Sequence, residues 1–127
     1  MVKEPLVTPD AAFGEAILER LDVQKSNLPI TVALWLKEDD KWTLVLGTPE
    51  YDRLGAKNAY LRLIGILSDD GPIAMSTLPI RLEGHKDPFI RDLRRLFGKT
   101  AAVEGMHLGG QTLGGKWIDD AYVYRIK

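Results

Sequence analysis

The chain of 127 residues carries 17 Lys and Arg against 18 Asp and Glu, a net charge of -1, and is 45% hydrophobic and 28% charged. These proportions exclude disordered, collagen-like and coiled-coil chains, suit one globular domain over 1–127, and leave no bulk field drawing the whole molecule to nucleic acid or anionic lipid. Cysteine is absent, which excludes disulfides, thiolate metal sites and cysteine nucleophiles.

Residues 1–8 hold Lys3, Glu4 and Pro5 and lack the apolar stretch of a signal peptide. Apolar runs such as Leu63 to Leu67 fall far short of the ~20 residues that span a bilayer, so the chain reads as soluble and cytoplasmic, without a membrane partner. Thr8-Pro9-Asp10 supplies a capping hydroxyl, a first-turn proline and an acid at the positive end of a helix dipole. Phe13, Ile17 and Leu21 then recur at helical spacing until Asn27 and Pro29.

Ile30 to Lys37 and Lys41 to Gly47 are rich in β-branched and aromatic residues, and Glu38-Asp39-Asp40 separates them as a turn. The predicted hairpin places Trp35 beside Leu44 on one face with Ala33, Trp42 and Leu46, and Ile30, Val32, Leu34, Leu36 and Val45 on the other. Both faces are apolar, so both must be covered, by the chain's own helices or by a partner. Thr48-Pro49-Glu50 repeats the cap, Gly55 divides a loop from the helix proper, and apolar residues around Ala56 to Leu67 predict a central, buried helix closed by Asp69-Asp70-Gly71-Pro72.

Leu78 to Glu83 reads as a short edge strand because Pro79 lacks a backbone donor. Asp87-Pro88 opens a further helix with a stripe of Ile90, Leu93, Leu96 and Phe97, and Gly98 sits where a left-handed cap is expected. Glycines interrupt Thr100 to Lys116, giving a Gly-rich loop or lid over 104–118. Ala121 to Ile126 alternates as a last strand, with Tyr122, Tyr124 and Ile126 opposite Ala121, Val123 and Arg125. The sum is an α+β fold with a small antiparallel or mixed sheet, about three helices, and the order α-β-β-α-β-α-(β)-β.

No motif rises to a reaction. Gly110 to Lys116 has the glycine and lysine spacing of a phosphate-binding loop, but Trp117 stands where the metal-holding hydroxyl belongs and a strand follows where a helix is needed. Asp39-Asp40-Lys41 resembles the acid-x-lysine fragment of nucleases, yet occupies a turn tip. His85 and His107 have no zinc spacing and read as local hydrogen-bonding residues, and Ser68 and Ser76 lack a nucleophile elbow. No metal ligand set or cofactor is assigned.

Charge is unevenly spread. From Pro79 to Thr100 six basic residues face three acidic ones, while residues 1–24 carry two basic against five acidic. Arg91, Arg94 and Arg95 give the helix over 87–97 a positive outward face, a candidate contact for nucleic acid or an acidic partner. Asp52 and Arg53 after the hairpin, and Lys116, Asp119 and Asp120 in the tail, are further candidate binding residues because loops on a rigid scaffold collect them.

The two-sided hairpin favours a noncatalytic interaction or assembly domain, self-associating as a homodimer or binding a protein partner, with Trp35 and Trp42 as candidate interface residues. Two further readings stand beside it. One is nucleic-acid or acidic-partner binding through the basic helix. The other is an enzyme acting on a phosphorylated or nucleotide-like substrate, with the Gly-rich tail as lid and Asp52, Asp119 or Asp120 holding a metal.

Overall fold

The hairpin concentrates the apolar β-forming residues, and the molecule is organised around it. In a computed structural model that describes residues 8–23, 28–38, 41–68, 79–99 and 103–127, β1 (Val32–Glu38) pairs antiparallel with β2 (Lys41–Gly47). The register sets Trp35 opposite Leu44, as alternation across a short turn requires. The turn itself at 39–40, the helix stop at Asn27, the turn at 69–72, Ser76 and the predicted strand start at Leu78 lie outside the described residues.

β3 (Ile80–Glu83) joins β2 in parallel and β6 (Asp120–Ile126) joins β1 antiparallel, giving one mixed sheet in the order β3-β2-β1-β6. A parallel neighbour needs a crossover, and α2 (Pro49–Leu54) and α3 (Ala56–Ser68) lie within it. The break at Gly55 separates two helices, where the sequence suggests a loop and one helix; Thr48 caps the first, its hydroxyl accepting from Glu50 N at 3.2 Å. A short hairpin of β4 (Gln111–Leu113) and β5 (Lys116–Ile118) precedes β6, and the α+β order is as expected.

One face of the sheet is covered by α1 (Thr8–Val23) and α3. Ile17, Leu18 and Leu21 of α1 and Ala59, Leu63, Ile66 and Leu67 of α3 pack with Ala33, Trp35, Leu44 and Leu46. Trp35 is fully buried there, Phe13 lies 6.3 Å from its ring, and its Nε1 donates to the Tyr124 hydroxyl, which donates to Ala11 O. It is therefore closed to a partner and is not an interface residue, contrary to expectation; Trp42 is half-buried against the same cluster.

The other face is covered by α4 (Pro88–Phe97) and the Gly-rich tail. Phe89, Ile90 and Leu93 of α4, with Val103, Leu108, Leu113 and Ile118 of the tail, pack on Val32, Leu34, Leu36, Val45, Ala121 and Val123. The segment over 104–118 is thus part of the core's wall rather than a lid: Leu108 N donates to Ala121 O, and Gly105 N to Val123 O. Both hairpin faces are shielded from within the chain, so the apolarity that suggested a partner is satisfied without one.

Four local expectations fail for physical reasons. β6 carries a bulge: Ala33 pairs with Arg125 but Leu34 with Val123, leaving Tyr124 as the extra residue. Past it the alternation changes phase, so Ile126 joins Ala121 and Val123 while Arg125 turns to Asp22 of α1. Ile30 precedes the strand and packs with the Trp35 cluster. α3 is one layer thick against solvent, so Leu61 and Ile64 are exposed rather than buried. Gly98 is right-handed (φ -60°), its N–H donating to Arg94 O within the helical turn, and Leu96 is exposed. Among the described residues no helix is long and apolar enough to cross a membrane.

Candidate functional site

The residue spacing of α4 separates its two chemistries. Ile90 and Leu93 turn to the sheet, and Arg91, Arg94 and Arg95, at i, i+3 and i+4, turn away from it. Asp87 caps the helix, its carboxylate accepting from Ile90 N at 3.1 Å, and Pro88 fills the first turn. Arg94 and Arg95 in the last turn suit the negative end of the dipole.

Beside this face lies a cavity of about 840 Å³, open to solvent, lined by Arg91, Arg94, Arg95, Lys99 and Lys127, with His85 at its edge. Among the described residues the one acidic side chain in its wall is Asp92, and that carboxylate is committed. Gly114 N donates to it at 2.7 Å and Arg95 pairs with it at 3.4 Å. The Gly114 amide, followed by the guanidinium groups of Arg95 and Arg91, holds Asp92 below the ordinary carboxylate range. Among the described residues five basic side chains thus line the groove against one engaged acidic side chain, and the lining is predominantly basic.

Long-range contacts finish the wall. Thr31, just before β1, accepts from Lys127 N at 2.9 Å through its carbonyl, and Arg94 Nε donates to Lys127 O at 2.8 Å. Asp52 of α2 accepts from His85 N at 2.7 Å. A Cβ on Gly84 would meet the Asp52 carboxylate at 2.4 Å, so glycine there permits the approach. Burial, and secondarily Arg94, push the His85 imidazole below its ordinary range, with Asp52 acting in the opposite direction.

The other candidate residues are dispersed. Asp52 thus orients His85 instead of facing the groove, and Arg53 pairs with Glu50 on the exposed side of α2. Lys116 Nζ bonds Glu38 at 2.8 Å, and Arg81 bonds the same carboxylate at 2.8 Å. Both line a smaller cavity of about 280 Å³ with Glu83 and Asp87. Burial and a hydrogen bond with Asp87 raise Glu83.

Asp119 accepts from Trp117 Nε1 at 3.0 Å. Asp120 is buried, accepts from Ala121 N at 2.9 Å and lies 3.4 Å from His107 Nδ1. Asp52, Asp119 and Asp120, each considered as a metal holder for an enzyme, have separate partners, and among the described residues no three His, Asp or Glu side chains gather as a metal site.

Gly114 and Gly115, at φ +57° and +79°, form the two-residue turn of the β4–β5 hairpin, the left-handed pair such hairpins require. With Lys116 held by Glu38 and strand continuing beyond it, this stretch is not a phosphate-binding loop. Asp39 and Asp40 of the nuclease-like fragment lie outside the described residues. His85, Lys127 and Thr31 were not legible as site residues, because their partners are distant in sequence and no local motif marks them.

A second groove of about 490 Å³ has the opposite sign: Glu15, Glu19 and Asp22 of α1 face Glu104 across it. Among the described residues its one cation, Arg125, is held by Asp22 through two contacts of 2.6 and 2.9 Å. No protein-family model matches the chain, and no curated protein and no solved structure matches it.

Proposed function

We propose that this chain is a binding domain whose α4 groove takes the phosphate backbone of a nucleic acid. The supporting observation is the row of cations beside a single, already paired carboxylate. A rise of about 1.5 Å per residue spaces Arg91 and Arg95 by about 6 Å along α4, and Lys99 follows beyond its end, which suits a chain of repeated anions better than one isolated carboxylate. Arginine's planar fork matches phosphate oxygens in pairs. The reading includes a cytoplasmic location, in keeping with a chain that has no cysteine.

The test is fluorescence anisotropy with single-stranded and duplex oligonucleotides over a salt series. Binding should weaken with log-log slopes of about 0.7 per phosphate for single strands and about 0.9 for duplexes. The Arg91→Ala/Arg94→Ala/Arg95→Ala variant should lose affinity at least tenfold and reduce the slope by about 2 to 3. Salt-independent binding, no binding, or an unchanged triple variant would reject the reading.

The opposed grooves support a second reading, association of copies head to tail, with α4 of one copy against α1 of the next. Such a contact is heterologous and propagates unless the rotation closes a ring. One variant would carry glutamate at positions 91, 94 and 95, and another lysine at 15, 19 and 104. Each should be monomeric by light scattering at low salt, and their mixture should associate again as alternating copies, since both contacts between unlike variants join opposite charges. A wild-type chain that stays monomeric at low salt, or a mixture that does not pair, would remove this reading.

A further inference from the structure

We propose that His85 is a ligand-contacting residue of the α4 groove, its imidazolium donating a hydrogen bond from Nδ1 to a phosphate oxygen of the bound nucleic acid, with Thr31 as the residue that positions its ring. The proposal rests on the groove being a phosphate site. Its geometric basis is a contact that joins residues 54 apart in sequence: Thr31 Oγ1 lies 2.6 Å from His85 Nε2. The same hydroxyl lies 3.3 Å from Gly47 O.

A hydroxyl has one proton to give. If Thr31 gives it to Gly47 O, Nε2 must carry the hydrogen that Oγ1 accepts, and both contacts are satisfied together. If the hydroxyl donates to Nε2 instead, Gly47 O still accepts from Thr31 N at 2.9 Å. In either case Thr31 occupies Nε2, and Nδ1 is the ring nitrogen left for a ligand. The ring is doubly fixed, through Nε2 by Thr31 and through its backbone N–H by Asp52.

The charges around the ring decide when it carries its second proton. Asp52 approaches from α2, Arg94 from α4, and Arg91 and Lys127 line the same groove. The Asp52 carboxylate already accepts from the His85 backbone N–H. Without a ligand, burial and the cationic wall favour neutral imidazole. A phosphate strand entering the groove neutralises that wall and places negative charge beside the ring, so the imidazolium becomes the favoured form. Because the bound state then holds the proton more tightly than the free state, affinity must rise as pH falls.

The experiment measures oligonucleotide Kd between pH 8 and pH 5.5, using strands without terminal phosphates so that the ligand does not titrate. Wild-type affinity should tighten about tenfold over this range, the equivalent of one pKa unit between bound and free protein. His85→Gln should show less than a twofold change. Thr31→Val should reduce the wild-type gain, and Thr31→Ser, which keeps the hydroxyl, should restore it.

The sequence has two histidines, so both ring signals can be followed by NMR. The His85 midpoint should rise on adding the oligonucleotide while that of His107 stays in place. Binding that keeps its pH profile in His85→Gln, or an unmoved His85 midpoint in the complex, would overturn the role of His85 and leave the groove reading intact. Absence of oligonucleotide binding at every pH would overturn both.

Discussion

Alanine at position 35 should cost roughly 3–5 kcal/mol of stability, the range for deleting a large buried aromatic. Trp35 is 2% exposed between α1 and β1. The substitution opens a cavity beneath Phe13 and removes the Nε1 donor to Tyr124. Trp42, half-buried at the margin of the same cluster, should cost less when replaced by alanine. Trp117, 61% exposed on the small hairpin, should fall within about 0.5 kcal/mol of wild type, as surface changes do.

Urea midpoints for the three single variants should therefore rank Trp35→Ala lowest and Trp117→Ala highest. Should Trp35→Ala fail to fold, Trp35→Phe serves the same comparison, because it keeps most of the apolar volume and loses the indole N–H. An equal cost at positions 35 and 117 would contradict a core centred on β1.

The hairpin was legible because alternation and a short turn together set its register, which is why Trp35 stands opposite Leu44. The caps at Thr48 and Asp87 were legible for a similar reason, since an Ncap and its amide lie two or three residues apart. What covers each face was not. Leu108, Leu113 and Ile118 are isolated apolar residues among glycines and polar residues, and only their return alongside β6 and α4 makes them a second wall.

Overlooking that wall left one hairpin face without a cover and suggested a partner, while Trp35 lies on the other face beneath α1 and α3. A single extra residue at Tyr124 moved Ile126 to the opposite face, because a strand's period is two and a bulge shifts it by one. The arginine face of α4 was readable from helical spacing, whereas its completion by Lys127 and His85 depends on contacts spanning much of the chain.

Gly114 links that fold to the groove, and Gly114→Ala should be far more damaging than Gly115→Ala next to it. Both glycines have positive φ, which for an alanine costs about 1–2 kcal/mol whatever the surroundings. A Cβ on Gly115 meets nothing within 4 Å, so that conformational cost is the whole expected loss there. A Cβ on Gly114 would lie 2.5 Å from Phe89 N and Pro88 C, backbone atoms that cannot swing aside.

The hairpin must therefore lift from the first turn of α4, uncovering Leu113 and Ile118, which are nearly fully buried. Exposing even one such side chain adds about 1.5–3 kcal/mol, and denaturation midpoints should separate the two variants accordingly. Lifting the turn also withdraws the Gly114 N–H from Asp92. The oxygen released is then free to hold Arg91 while the other keeps Arg95, and oligonucleotide affinity should fall. Adding Asp92→Asn to Gly114→Ala should recover affinity without recovering stability. Recovery of both together, or of neither, would mean that the amide of Gly114 does not keep this acid from competing with the ligand.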